Sequence, residues 1–310
     1  MRVLVAAAIV CLALPLQAAE PRYRVLAQDN GHVAIVGERG RSEWEVPCRY
    51  NSHDIHQLAN GNFLLHTGPA TVSEITPKKE TVWKYEAKPK AGYQGRVEVH
   101  AFQRLNDGNT MVAESGNSRI VEVNADGKIV KEIALQIKNK DPHRGTRLVR
   151  KLKSSNYLVC QEGDGCVKEY DASGKVVWEY KLDLAGRPRS PGHGPEGHGT
   201  EVFSALRLES GNTLIGGGNN NRVLEVDASG KIVWSIDHKE LPGITLAWVT
   251  TLQVLPSGNV IVGNCHAGPD NPQLFEVTRD KKVVWKFKDF KTFGNSTAAA
   301  MVLDAKGVLR

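Results

Sequence analysis

One short phrase recurs along this chain at nearly fixed distance, and it limits the fold more tightly than anything else in the sequence. Turns written LANGN, LNDGN, LKSSN, LESGN and LPSGN end at Asn62, Asn109, Asn156, Asn212 and Asn259, in steps of 47, 47, 56 and 47 residues. A degenerate sixth copy, LDAKG, occupies 303–307. After each turn come a short apolar strand, a strand carrying Glu (Glu74, Glu122, Glu169, Glu225, Glu276), a polar turn and a strand built on Trp. The tryptophans are Trp44, Trp83, Trp178, Trp234 and Trp285, with Lys131 in the equivalent place of the third unit. Four short strands in each 40–50 residues predict a β-propeller, one blade per unit.

The count of units predicts six blades. Units at about 53–89, 97–138, 143–184, 200–241 and 245–290 are complete. The N-terminal stretch from Tyr23 supplies three strands and lacks an innermost one, whereas 297–304 reads as an inner strand and little more. The two ends complement each other, so both are expected in one blade, closing the ring and tying down termini that would otherwise fray. A bulky Trp at one place in nearly every unit is read as packing between blades. The repeated Glu is read as structural too, since a site on a central axis rarely needs five copies of one residue.

The chain opens MRVLVAAAIVCLALPLQAAE, one Arg, an apolar run and small residues, which reads as a signal peptide over 1–19. A single propeller domain is then expected over 20–310, secreted or periplasmic, with no later stretch apolar enough to span a membrane. The 40 Lys and Arg of the full chain exceed its 34 Asp and Glu by a formal +6. These cations are scattered and do not alternate with aromatics, which excludes a nucleic-acid footprint. Four cysteines lie beyond the leader, Cys48, Cys160, Cys166 and Cys265. In an oxidising compartment an even number predicts two disulfides, of three possible connectivities. The CQEGDGC hairpin favours Cys160 with Cys166, leaving Cys48 for Cys265.

The unit GNTLI…RVLEVDASGKIVW resembles the repeat of PQQ-like propellers and of the arylsulfotransferase-like propellers of bacterial exported proteins. The resemblance covers nearly all of 20–310 and lies in structural residues. It implies six blades and a periplasmic location, and, on the sulfotransferase side, a histidine in the central channel that accepts a sulfuryl group. No motif for clamping a quinone or its metal accompanies the repeat, so no cofactor is expected.

Inner strands of a propeller line its channel. Five residues before the inner-strand Leu of successive blades stand His53, His100, Arg147, Phe203, Thr250 and Ala298. Equivalent positions share an orientation, so two histidines and an arginine are expected to converge with an aromatic wall at the channel mouth. Second-strand ends and loops on that face add His66, Glu114, Glu162, Asn219, Asn220, Asn264 and His266. The extra nine residues of the fifth unit fall in GRPRSPGHGPEGHGTE, whose His193, Glu196, His198 and Glu201 are expected over the rim. HGPEGH matches no zinc spacing, and no metal is expected there. The ligand-binding set is therefore His53, His100, Arg147, Phe203, His198 and His266, for a small anionic or polyhydroxylated ligand such as a carbohydrate. The alternative is an enzyme on the same face, a histidine-dependent sulfuryl transferase or carbohydrate lyase with His53 or His100 as the catalytic candidate. An enzyme needs that histidine oriented by a second group, for which Glu114 and Glu162 are the candidates.

Overall fold

Each repeat folds into one antiparallel four-stranded sheet, and six such sheets make up the molecule. The structure, a computed structural model, describes residues 23–305 and 307–310, so the signal peptide expected over 1–19 lies outside the described residues. Blade 1 holds β1 (Val25–Asp29), β2 (His32–Val36) and β3 (Ser42–Pro47). Blade 2 holds β4 (His56–Gln57), β5 (Phe63–Gly68), β6 (Thr71–Ile75) and β7 (Thr81–Glu86). Blade 3 runs β8 (Val99–Arg104), β9 (Thr110–Glu114), β10 (Arg119–Val123) and β11 (Ile129–Ala134). Blade 4 runs β12 (Val149–Lys151), β13 (Tyr157–Gln161), β14 (Cys166–Tyr170) and β15 (Val176–Lys181). In blade 5 these are β16 (Ser204–Arg207), β17 (Thr213–Gly216), β18 (Val223–Val226) and β19 (Ile232–Ile236). Blade 6 has β20 (Trp248–Val254), β21 (Val260–Cys265), β22 (Leu274–Val277) and β23 (Val283–Phe287). The last strand, β24 (Ala299–Val302), returns to blade 1 and pairs antiparallel with β1, Val25 opposite Val302 and Gln28 opposite Ala299. Ring closure by the two ends is thus as the sequence predicts. No helix among the described residues is long and apolar enough to cross a membrane.

Middle strands are buried on both faces because every blade is sandwiched between two others. Leu64, Val72 and Tyr85 of blade 2 pack on Phe102, Val112 and Val121 of blade 3. Leu158 and Val167 of blade 4 meet Ile215 and Leu224 of blade 5, and Leu26 and Ile35 of blade 1 meet Phe63 and Leu65 of blade 2. Such burial is the main favourable term for a fold with no single central core. The four outer strands of blades 2 to 5 expose valines or isoleucines just before the Trp position, such as Val82 and Val177.

The recurring Glu and Trp are cross-strand partners: Glu74 faces Trp83, Glu169 faces Trp178, Glu225 faces Trp234 and Glu276 faces Trp285. A β-bulge follows at once in each, a device that bends the outer strand. The carboxylate accepts from the turn Asn of its own blade, as Asn212 Nδ2 to Glu225 Oε1 at 2.7 Å. It also accepts from the next blade: Arg104 to Glu74 at 2.7 Å, Lys151 to Glu122 at 2.6 Å, Arg207 to Glu169 at 2.7 Å. Tyr23 of blade 1 completes the circuit on Glu276 at 2.8 Å. Those arginines lie over the Trp rings, Arg104 at 5.3 Å from Trp83 and Arg207 at 4.9 Å from Trp178, and Arg279, which donates to Glu225, lies 4.3 Å over Trp234. Each Glu–Trp pair is a rivet between blades. The residue before each turn Asn needs positive φ, which Gly61, Gly108, Gly211 and Gly258 supply near +85° and Ser155 alone meets without glycine, at +70°.

The expected disulfides are not made; all four cysteines are free and buried. Register explains the first pair, since Cys160 lies opposite Val167 and Cys166 opposite Gln161. The one-residue offset turns the two thiols to opposite faces of the blade. Cys48 instead directs its thiol to the His66 carbonyl at 3.3 Å, and Cys265, opposite Trp248 in blade 6, turns its thiol toward the Asn295 carbonyl at 4.0 Å. Burial pushes the Cys166 thiol up to about 12, and those of Cys160 and Cys265 further. Native protein beginning near residue 20, prepared without reductant, should therefore leave a thiol-reactive disulfide reagent unconsumed, and denatured protein should titrate four thiols per chain. Two or fewer on denaturation would restore the disulfide.

Candidate functional site

The entry positions of blades 2, 3, 4 and 5 bring His53, His100, Arg147 and Phe203 together. His100 is the extra residue of a bulge in β8, where Val99 pairs Glu114 and Ala101 pairs Ala113. Bulges re-aim side chains, and this one points His100 among its neighbours. His53 and His100 rings lie 4.5 Å apart, and His53 lies 5.8 Å from the Phe203 ring. Arg147 reaches between the histidines, Nη1 3.4 Å from His53 Nε2 and 3.5 Å from His100 Nδ1, with its Cζ 5.8 Å from the Phe203 ring.

The carboxylate that neutralises Arg147 is Glu162, which accepts from its Nε; both side chains are 4% exposed, so this is a buried pair. Arg144 also donates to Glu162 at 3.1 Å and reaches Glu201 at 3.2 Å. Glu114 is engaged elsewhere, by Tyr85, Asn117 and Arg119. The group that orients a histidine is instead Glu98, whose Oε2 lies 3.2 Å from His100 Nε2 and 2.8 Å from His143 Nδ1. His100 Nδ1 donates to the Thr146 carbonyl at 2.7 Å. His143 also stacks edge-on to both other rings, at 5.6 Å from His53 and 5.4 Å from His100.

Electrostatics follow from burial. Desolvation, then the Arg147 charge, pushes His53 well below its ordinary range. Burial lowers His100 to about 4 against the opposing pull of Glu98. The imidazoles of His100 and His143 beside it hold the Glu98 carboxyl far below the usual carboxylate range. His66, buried between Ser52 Oγ and the Val99 carbonyl at 2.7 Å each, is lowered to about 4 by desolvation. An open cleft of about 420 Å³ leads to these groups, lined by Arg49, Tyr50, Asn51 and Arg96 as well as His53, Glu98, His100 and His143.

Of the six expected residues His53 and His100 line the cleft, Arg147 and Phe203 lie buried behind them, and two lie apart from it. His198 is buried under its own loop, Nδ1 3.1 Å from Asn221 Oδ1 and Nε2 2.9 Å from the Leu184 carbonyl. His266 sits against His193 at 5.3 Å, and His193 packs on Trp248 at 4.6 Å. The 186–201 loop thus rests on the blade 5 and 6 side and contributes no lining to the cleft. Glu98 and His143 are not among the site residues expected from the sequence. No pattern in the sequence signals Glu98, because the bulge at His100 breaks the alternation of sides that would relate the two residues.

A family model described as outer membrane protein assembly factor BamB, PQQ_2, matches residues 29–287. No curated protein matches the chain. Among solved structures it is similar to a protein of unknown function from Bacteroides caccae, at 24% identity and TM-score 0.75, over 92% of this chain and all of that one. A streptogramin B lyase superposes with TM-score 0.56 at 13% identity, over 86% of this chain and 83% of the lyase. A catalytically inactive virginiamycin B lyase from Staphylococcus aureus with quinupristin gives TM-score 0.54 at 13% identity, over 89% and 86% of the two chains. At these identities the likeness is one of fold.

Proposed function

The chain belongs to the PQQ_2 family described by the outer membrane protein assembly factor BamB, and from that premise we propose that it is an exported propeller that binds a small anionic or polyhydroxylated ligand in the His/Arg cleft. One observation carries the reading: behind an open cleft that presents Arg49 and Arg96, the buried Arg147 reaches between two of its lining residues, His53 and His100. Convergent cations in a sheltered concavity attract an anion and set its orientation. Phe203, buried beneath the guanidinium, supports it from behind. His198 and His266 are left out of this proposed site.

A second reading, an enzyme on the same face, draws on the Glu98 contact to His100. An arginine only donates, so the His53 nitrogen facing Arg147 carries a lone pair and is the candidate base. In a lyase it would take the proton next to a carboxylate that Arg147 holds. The structural neighbours with lyase activity share the fold and lend this reading no more than that.

Calorimetry against sulfated, uronic-acid and neutral oligosaccharides of equal length tests the proposal. Anionic members should bind and neutral ones bind more weakly. His53→Ala then separates the readings: a binder loses affinity by degrees, whereas an enzyme keeps its ligand and loses turnover. Absence of binding across the panel, or no preference for charge, would overturn the ligand assignment.

A further inference from the structure

We propose that Glu98, His100 and His143 form a binding site for one divalent transition-metal ion, of the two-histidine, one-carboxylate kind that zinc accepts. One ligand atom from each residue lies within 4.8 Å of the others. The individual separations are sharper: Glu98 Oε2 is 3.2 Å from His100 Nε2 and 2.8 Å from His143 Nδ1. Zinc bonds to nitrogen and oxygen of about 2.0–2.2 Å place neighbouring ligand atoms about 2.8–3.5 Å apart in tetrahedral or six-coordinate geometry. Both contacts to the carboxylate fall in that interval, and the two imidazole nitrogens lie within 4.8 Å of each other.

Hydrogen positions point the same way. The Thr146 carbonyl, 2.7 Å from His100 Nδ1, can only accept, so Nδ1 carries the ring's hydrogen. Nε2 of a singly protonated ring then turns a lone pair toward a carboxylate oxygen. Two lone pairs in contact call for a cation. A second ring proton would serve, but a charge-assisted N–H···O bond is about 2.7–2.9 Å long, shorter than this one. A metal ion suits the distance, and a backbone carbonyl on the far ring nitrogen is the usual way a metal-binding imidazole is aimed.

The supports are also in place. Arg96 holds the other Glu98 oxygen at 3.2 Å, and Asp141 accepts the His143 amide at 2.8 Å, fixing the loop from which that imidazole projects. His143 is half exposed, so the ion would keep open positions toward the cleft. There it would add a Lewis-acidic contact for an anionic group, a consequence that rests on the ligand reading of the cleft; the metal site itself does not. The residues are spread over forty-five positions and follow no metal-binding spacing, unlike the HGPEGH loop, which contributes nothing to the cluster.

The test uses untagged chain, stripped with a chelator and titrated with Zn²⁺ and Co²⁺ in the absence of any organic ligand. One ion should bind per chain, Co²⁺ should develop visible absorption, and Zn²⁺ should raise the melting temperature. His143→Ala and Glu98→Gln should each weaken binding by more than the roughly 10–100-fold that losing an outer partner costs. Because His143 is exposed, its variant should melt like the stripped parent, which separates loss of the site from loss of the fold. His193→Ala should bind as the parent does. Substoichiometric uptake, uptake indifferent to both ligand substitutions, or uptake lost in His193→Ala would each overturn the metal site, and none of them bears on oligosaccharide binding.

Discussion

Replacing Asp54 by Ala is expected to lower stability by about 3–5 kcal/mol, the effect of stranding a buried charge. Asp54 is buried, next in the chain to His53 of the cleft. Arg150 grips it with two hydrogen bonds, Nη1 to Oδ2 at 2.7 Å and Nη2 to Oδ1 at 2.9 Å. The Phe102 amide donates to the same carboxylate at 3.1 Å, and His56 Nε2 lies 3.1 Å away. One carboxylate therefore joins blades 2, 3 and 4 at their innermost strands. Both partners are buried, so truncation leaves Arg150 charged and uncompensated. Burial by itself would raise the Asp54 pKa, but the Arg150 and His56 interactions outweigh it and hold the carboxyl well below its usual range. A depressed carboxylate contributes its full stability above the unfolded value of about 3.9 and loses it as pH falls through the folded value. The gap between parent and Asp54→Ala in urea midpoint should accordingly be wide and flat from pH 8 to 5 and begin to narrow only below about pH 4. A gap under about 1 kcal/mol at neutral pH, in the range of an exposed pair, would show that the clamp contributes little.

Arg147→Ala should weaken binding of a sulfated or carboxylated ligand by about 2–5 kcal/mol, a rise in Kd from roughly thirtyfold to several thousandfold. The guanidinium is fixed before any ligand arrives, by Glu162 behind it and Phe203 beneath it. That preorganisation means little ordering is needed on binding. Arg147→Lys keeps the charge and gives up the planar fork, so it should fall between parent and Ala. A melting curve belongs with each variant, because Glu162 loses its buried partner and retains only Arg144. An affinity for anionic ligand within threefold of the parent, in folded Arg147→Ala, would place the site elsewhere.

The ring was legible because a repeat states its fold many times over. The interval between Asn62 and Asn259 set the blades, and the missing strands at the two ends named their own partner. Equivalent positions also foretold the meeting of His53, His100, Arg147 and Phe203. Pattern failed where local geometry departs from the repeat. The bulge at His100 turns on backbone register, which Val-Glu-Val-His does not announce, and it is this bulge that sets the imidazole beside Glu98. Register likewise decided the cysteines, whose six-residue spacing suits a hairpin bridge until the offset of one is known. His198 and His266 sit in loops, where equivalence between blades no longer fixes direction; His198 was drawn inward by Asn221 and the Leu184 carbonyl.

The pairing of β24 with β1 has a consequence for the order in which this molecule comes into being. Three strands of blade 1 are among the first parts of the propeller to be synthesised, yet its innermost strand is the last. Until Ala299–Val302 exists, β1 has an open hydrogen-bonding edge, and Val25, Leu26 and Ala27, fully buried in the finished ring, lack the neighbour that covers them. Blades 2 to 6 can form in sequence as the chain lengthens, each from contiguous residues, while the first must wait across some 270 positions for its fourth strand. An unfinished edge of this kind is a template for pairing with other chains. Nascent molecules therefore need that edge kept apart for nearly the whole of their synthesis, and a stop codon only a dozen residues early would make the exposure permanent.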